Sequence, residues 1–305
     1  MRQLLFCAVL AAVPALGWNH VGHKAVAGMA YDLLTPEARA KADRLIRNHP
    51  DYPSWLKDAP ADEHARARYA FMQAAYWPDT IKGDARFYDD TRSDAQPTPT
   101  LPGYPDMKRH TNWHYINLAF SPDGTAFPPP PPVNALAQIN TLLAGIDTDP
   151  SYRLPWVLHL IGDVHNPMHC TSRWKKDQVD PKTGKPWSDL GGNGVYVVGA
   201  YNLHAYWDDA LGITDTLDYL NGLIRFMSTR GQEGAAVLDP EAWVKEGAQL
   251  AETVCYGKLG SKGSGAKEDP ITLPEDYGVA AKALARERAA LGARRLAAVL
   301  NERLK

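Results

Sequence analysis

The sequence predicts a mainly α domain with long irregular loops and a short β-hairpin. Three observations predict it. Apolar residues recur at three- and four-residue spacing through most of the chain. Polar, proline-rich segments fall between these periodic stretches rather than inside them. Only Gly194–Ala200, "GVYVVGA", reads as extended chain and is the candidate hairpin arm.

In chain order, Arg2, the apolar run Leu4 to Val13 and the small-x-small site Ala15-Leu16-Gly17 read as a secretory leader over residues 1–17. A run of about ten apolar residues is too short to span a bilayer. The expectation is a secreted or periplasmic protein whose mature chain starts at Trp18. Residues 18–305 are then one catalytic-sized domain with room for a sizeable core.

Helices are expected from Val21 to Leu34, and from Pro36 to Asn48 behind a Thr35 cap. Others run from Glu63 to Tyr76, Val133 to Ile146, Tyr152 to His165 and Leu203 to Leu211. Leu217 to Ser228, Glu241 to Tyr256 and Pro274 to Leu304 complete the set. The segments 89–106, 121–132 and 257–270 read as surface loops. The proline run Pro128 to Pro132 reads as a stiff connection.

A net charge of −2 gives no global basic field to attract nucleic acid or a membrane. A polyanionic ligand would have to be held by local charge, from side chains or metal ions. Cys170 and Cys255 are either a disulfide suited to an oxidising compartment or two buried thiols.

Polar residues embedded in apolar stretches carry the chemistry. In "WVLHLIGDVHNPMHC", His159 and Asp163 stand four apart and share a helix face, with His165 and His169 following. "NLHAYWDD" repeats the device with His204 and Asp208. "NWHYIN" adds His114, and "YWPDTIKGD" adds Asp79 just after a helix, with Lys82 three residues on. Buried polar groups need partners, and imidazole with carboxylate but no thiolate suits a hydrolytic zinc site. His20, His49, His64 and His110 lie in polar segments and read as solvated; His165 reads as a core or supporting histidine. There is no phosphate-cradling glycine loop, no H-E-x-x-H and no nucleophile elbow.

Taken in order, Trp18 with His23, "WPD", "WHYIN", "HLIGDVHNPMH", "LGGN" and "LHAYWD" resemble the S1/P1 nuclease family, whose fold is shared with zinc-dependent bacterial phospholipases C. The resemblance spans nearly all of 18–305 and implies a phospholipase C/P1 nuclease-like helical domain holding three Zn2+. It implies one zinc on Asp79, His114, His159 and Asp163, a second on Asp163, His23 and the amine and carbonyl of Trp18, and a third on His169, His204 and Asp208. It implies a phosphate-binding and catalytic role for Lys82 beside Asp79, and a base pocket from Tyr115, Asn117, Gly191, Gly192 and Asn193. Asn117 stands where many members carry aspartate, and an amide donates as well as accepts. Three Zn2+ carry about +6 and the three carboxylates about −3, so an acidic chain can hold a polyanion at about +3.

The activity so implied is an endonuclease and 3′-nucleotidase on single-stranded DNA and RNA with 5′-phosphate products, from a monomer with no membrane partner. Two other readings stand beside it. One is a zinc-dependent phospholipase C, disfavoured by Asp208 and the short Trp18–His23 gap. The other is a non-enzymatic zinc-binding helical protein, which would need neither Lys82 nor an aromatic pocket.

Overall fold

A computed structural model describes residues 17–179, 184, 186–260 and 262–305. The expected leader over residues 1–17 lies, apart from Gly17, outside the described residues. The architecture is helical, with ten α-helices and one small sheet among the described residues.

Helix α1 (His20–Asp32) is buried almost all round, which places it at the centre of the bundle. It packs on α4 (Glu63–Thr80), α6 (Pro150–Asp163), α8 (Leu217–Met227) and α10 (Tyr277–Arg303). Helix α6 is equally enclosed, from Leu154 through Asp163. The amphipathic α2 (Pro36–Arg47) and α5 (Ala135–Ala144), the short α3 (Tyr52–Trp55) and α7 (Leu203–Asp208), and α9 (Pro240–Leu250) complete the set.

Side-chain caps start most helices where the sequence places Asn, Thr or Asp. Thr35, Asp62, Asn134, Asn202 and Thr216 each accept a hydrogen bond from a first-turn amide. Asn19 caps α1 and also donates from Nδ2 to Asp209 Oδ1 at 2.7 Å and to the Gly212 carbonyl at 2.7 Å. Its backbone N–H meets the Asp208 carbonyl at 3.2 Å. These bonds fasten the segment around Trp18 to the end of α7.

The structure differs from expectation at several points. The sheet is not built from Gly194–Ala200, which makes only a bridge from Val197 to Ile271. Strands β1 (Leu118–Phe120), β2 (Thr171–Val179) and β3 (Pro186–Ser188) form it, β1 parallel and β3 antiparallel to β2. The hairpin β2–β3 is polar and half exposed, so it carries little of the apolar alternation that marks a strand.

Cys170 and Cys255 are free thiols, not a disulfide. Cys170 packs in the main core against Gly247 and donates to the Val164 carbonyl at 3.2 Å. Cys255 lies in a second apolar cluster, within the π-helical turn Ala251–Tyr256 that ends α9. Burial pushes the Cys170 thiol up to about 12, so both sulfurs behave as apolar filling.

His49 and His110 are buried rather than solvated. His49 stacks on Trp55 at 4.6 Å, and burial lowers its pKa to about 4. His110 stacks on Trp113 at 3.7 Å between the carboxylates of Asp106 and Asp90. Aromatic neighbours distant in sequence cover both rings, which local polarity does not reveal.

Burial opposes charge on His110, but its bonds to Asp106 and Asp90 prevail and raise its pKa. A raised folded pKa stabilises the fold fully below the unfolded value of about 6.5, and that contribution is lost as pH rises through the folded value. His110→Gln is therefore expected to remove a decline in stability above about pH 6.5 that the wild type shows. Urea unfolding on both sides of neutrality measures it; parallel declines in the two proteins would contradict the assignment.

Candidate metal centre

Six segments converge on one buried cluster. The last turn of α4 supplies Asp79, which lies inside the helix rather than just after it because α4 continues through Pro78 to Thr80. Helix α6 supplies His159 and Asp163 on one face, and α1 supplies His23. His114 follows the 3-10 turn Thr111–Trp113, His169 sits in the 3-10 turn Pro167–Cys170, and α7 carries His204 and Asp208. All eight side chains are buried.

Three groups have ligand atoms close enough to share an ion: His23, His159 and Asp163; Asp79, His114 and His159; and His169, His204 and Asp208. Asp163 lies between the first two sets. Its Oδ1 is 3.3 Å from His23 Nε2, while its Oδ2 is 3.3 Å from His114 Nδ1 and 3.2 Å from His159 Nε2. Both oxygens are buried and neither has a geometrically sound hydrogen bond.

The histidine tautomers are set from behind. His159 Nδ1 donates to the Ala75 carbonyl at 2.8 Å, one turn before Asp79 on α4. His169 Nδ1 donates to the His114 carbonyl at 2.6 Å, and His204 Nδ1 to the Gly191 carbonyl at 2.7 Å. Because a carbonyl can only accept, Nδ1 of each ring carries a proton and Nε2 is the atom turned toward the cluster carboxylates. The Nε2 atoms of His169 and His204 are 3.0 Å apart. Donation from the far nitrogen to a carbonyl is the usual support of metal-binding histidine.

Electrostatics agree with this reading. Burial lowers His23 to about 4 and His114 to about 3, keeping both neutral and able to ligate. Burial works against ionisation of Asp79, but Lys82 and the surrounding imidazoles hold it down at about 2. Burial likewise opposes charge on Asp163, yet His159 and His169 hold it well below the usual range. Asp208 is pushed well above that range by burial and by the nearby Asp163 and Asp79 carboxylates.

Lys82 reaches the rim of the cluster, its Nζ 2.7 Å from Asp79 Oδ1. Tyr115 and Asn117 line a cavity of about 340 Å³ with Thr91, Asn112, Pro131, Pro132, Val133 and Asn134. The proline run is thus a pocket wall as well as a connection. Gly191–Asn193 are not among the residues lining this cavity. Gly191 has φ 64°, and a Cβ there would come within 2.8 Å of the Met168 carbonyl, so the loop presses directly on the turn bearing His169. Asn193 donates from Nδ2 to the Leu190 carbonyl at 2.8 Å, holding that loop. Trp18 is fully buried, and a Cβ on Gly17 would overlap the Asp163 carboxylate. His165 is a core histidine: its Nδ1 donates to the Ile161 carbonyl and its Nε2 faces Arg295, which Glu246 holds.

One residue escaped the sequence reading. Asn166 is fully buried, and its Nδ2 donates to Asp208 Oδ1 at 2.9 Å while its Oδ1 accepts from Met168 N. It orients a candidate ligand and caps the turn bearing His169. Its place between His165 and Pro167 was the only signal, and an asparagine before proline reads first as a turn residue. Asn166→Ala is expected to weaken zinc binding at the His169, His204 and Asp208 group by about 10- to 100-fold. Competition with a chromophoric chelator measures it, and unchanged affinity would remove Asn166 from this role.

No curated protein matches the chain. The family model for S1/P1 nuclease matches residues 18–305, beginning at the tryptophan that the fold buries beside the cluster. The His and Asp residues that converge here lie between positions 23 and 208 of that match, and the chain belongs to the S1/P1 nuclease family.

Proposed function

We propose that this chain is a secreted or periplasmic zinc-dependent endonuclease and 3′-nucleotidase, hydrolysing single-stranded DNA and RNA to 5′-phosphate products. Membership of the family supports a nuclease acting on phosphodiester bonds. The observation that carries the metal assignment is the convergence of buried imidazoles and carboxylates into three groups whose ligand atoms could each share an ion, with Asp163 facing both His23 and the His114 and His159 pair. A donor set of imidazoles and carboxylates without thiolate fits zinc at a hydrolytic centre.

Three Zn2+ would be held by Asp79, His114, His159 and Asp163, by Asp163 with His23 and Trp18, and by His169, His204 and Asp208. When bound, the ions supply positive charge for a phosphodiester and make water acidic enough to react near neutral pH. The protein's own groups do the rest. Asp79 Oδ2 has no hydrogen-bond partner and faces the cluster, where it can orient an attacking water. Lys82 brings its ammonium beside Asp79, where it can neutralise charge that builds on a non-bridging phosphate oxygen. The Tyr115 ring offers a stacking face, and the Asn117 amide can donate and accept toward a base edge. A base can enter such a pocket only when unpaired, so single strands are the preferred substrate. Gly191, Gly192 and Asn193 form the loop behind His204 and are assigned to the nucleotide's other side.

The test uses protein beginning at Trp18 with single-stranded and duplex oligonucleotides. Chelation is expected to abolish cleavage of single strands, added zinc to restore it, and duplex to be cut at least about tenfold more slowly. Chelator-insensitive cleavage, or none on single strands, would overturn the reading.

A further inference from the structure

Several large apolar side chains stand exposed in one stretch around the loop behind His204, namely Val179, Trp187, Leu190, Val198 and Tyr201. Leu190 is the most unusual. It has φ 53°, a left-handed backbone that a leucine adopts rarely, yet its side chain is 48% exposed. No burial offsets the strain.

The surrounding bonds hold it there. Leu190 N donates to Ser188 Oγ at 3.2 Å, and its carbonyl accepts from Asn193 Nδ2 at 2.8 Å. Gly194 N meets the Asp189 carbonyl at 2.8 Å, and Asp189 Oδ1 accepts from Arg173 N at 2.9 Å. Asn202 Nδ2 reaches Asn193 at 3.2 Å. Next in this unit, on β3, is Trp187, 45% exposed. The neighbouring strand β2 carries Lys175, 3.3 Å from Asp177, and the exposed Lys176, whose backbone N–H bonds Asp123. The unit is tied to the metal centre through the bond from His204 to Gly191.

We infer that Trp187 and Leu190 form an apolar shelf on which the bases of a single-stranded polynucleotide rest beyond the nucleotide being cut, with Lys175 beside its phosphates. This rests on the nuclease reading above. Three features select this occupant. The shelf is continuous with the loop behind His204, so a strand held at the centre passes over it. An indole face and a branched aliphatic group stack on any base without reading its sequence. An amine on the adjacent strand suits a polyanion, and a duplex would keep its bases out of reach.

The test compares wild type with Trp187→Ala and Leu190→Gly in the zinc-loaded protein. Glycine is at ease at φ 53°, so Leu190→Gly removes the side chain and keeps the loop. Anisotropy of a labelled single-stranded phosphorothioate oligonucleotide reads binding. KM for an unmodified oligonucleotide and for a 3′-mononucleotide reads turnover. Each substitution is expected to weaken oligonucleotide binding and raise its KM by about fivefold or more, leaving mononucleotide hydrolysis unchanged. Equal losses on both substrates, or unchanged oligonucleotide affinity, would overturn the shelf. So would loss of vesicle binding or of self-association in place of oligonucleotide binding. Wild-type protein that binds the oligonucleotide through these residues but cuts nothing would sink the nuclease reading and leave the shelf standing.

Discussion

Asp163→Asn is expected to release together two of the three Zn2+ proposed above and to lower phosphodiester cleavage by at least about a thousandfold. The carboxylate stands between His23 on one side and His114 and His159 on the other, all within 3.3 Å of one or other oxygen. An amide has the same shape but only one oxygen, and its NH2 group turns a donor toward imidazole lone pairs or a cation. The near-identical volume leaves the α6 packing intact, so a folded protein with depleted metal is the predicted product. Elemental analysis and circular dichroism on the same sample check this. Loss of a single ion, with the others retained, would show that Asp163 does not bridge.

Residues retained ahead of Trp18 are expected to cost a comparable share of activity. The Gly17–Trp18 junction lies against the cluster, and a side chain at position 17 would run into the Asp163 carboxylate, with His23 Nε2 only 2.8 Å away. While that peptide bond is intact, the Trp18 nitrogen is an amide and a poor ligand. After cleavage it is an amine that binds metal when deprotonated. Protein beginning at Trp18 should therefore hold one more zinc than protein carrying residues before it, and should exceed its activity by about 100-fold or more. Metal stoichiometry and initial rates on the two forms decide it. Equal metal content and equal rates would show that the terminus has no part in the centre. The same bonds that fasten Asn19 to Asp209 and Gly212 keep Trp18 in place in either form.

Much of this buried cluster was legible in the sequence because four of its eight residues come in helical pairs. His159 with Asp163, and His204 with Asp208, stand four apart on faces that are otherwise apolar, and that spacing marks a polar site inside a core. The helices were legible for a related reason: their apolar periodicity and their Thr, Asn and Asp caps are local signals. The sheet was not, because β2 draws its stability from pairing with β1 and β3 rather than from its own polar residues. His49 and His110 were misjudged for the same cause. Each is buried by aromatic rings brought from elsewhere, Trp77 and Tyr104 over one and Trp156 over the other.

The sequence by itself determined the fold class, the family motifs and which imidazoles and carboxylates stand in apolar surroundings. Only the tertiary structure decided that Asp163 faces two ligand groups and that Ala75, His114 and Gly191 carbonyls set the histidine tautomers. It alone brought Asn166 onto Asp208, separated Cys170 from Cys255 as free thiols and held Leu190 out beside the centre. Residue type and spacing report which face of an element is apolar. The direction of a lone pair, or the partner of a buried amide, depends on distances between elements far apart in the chain, and packing sets those.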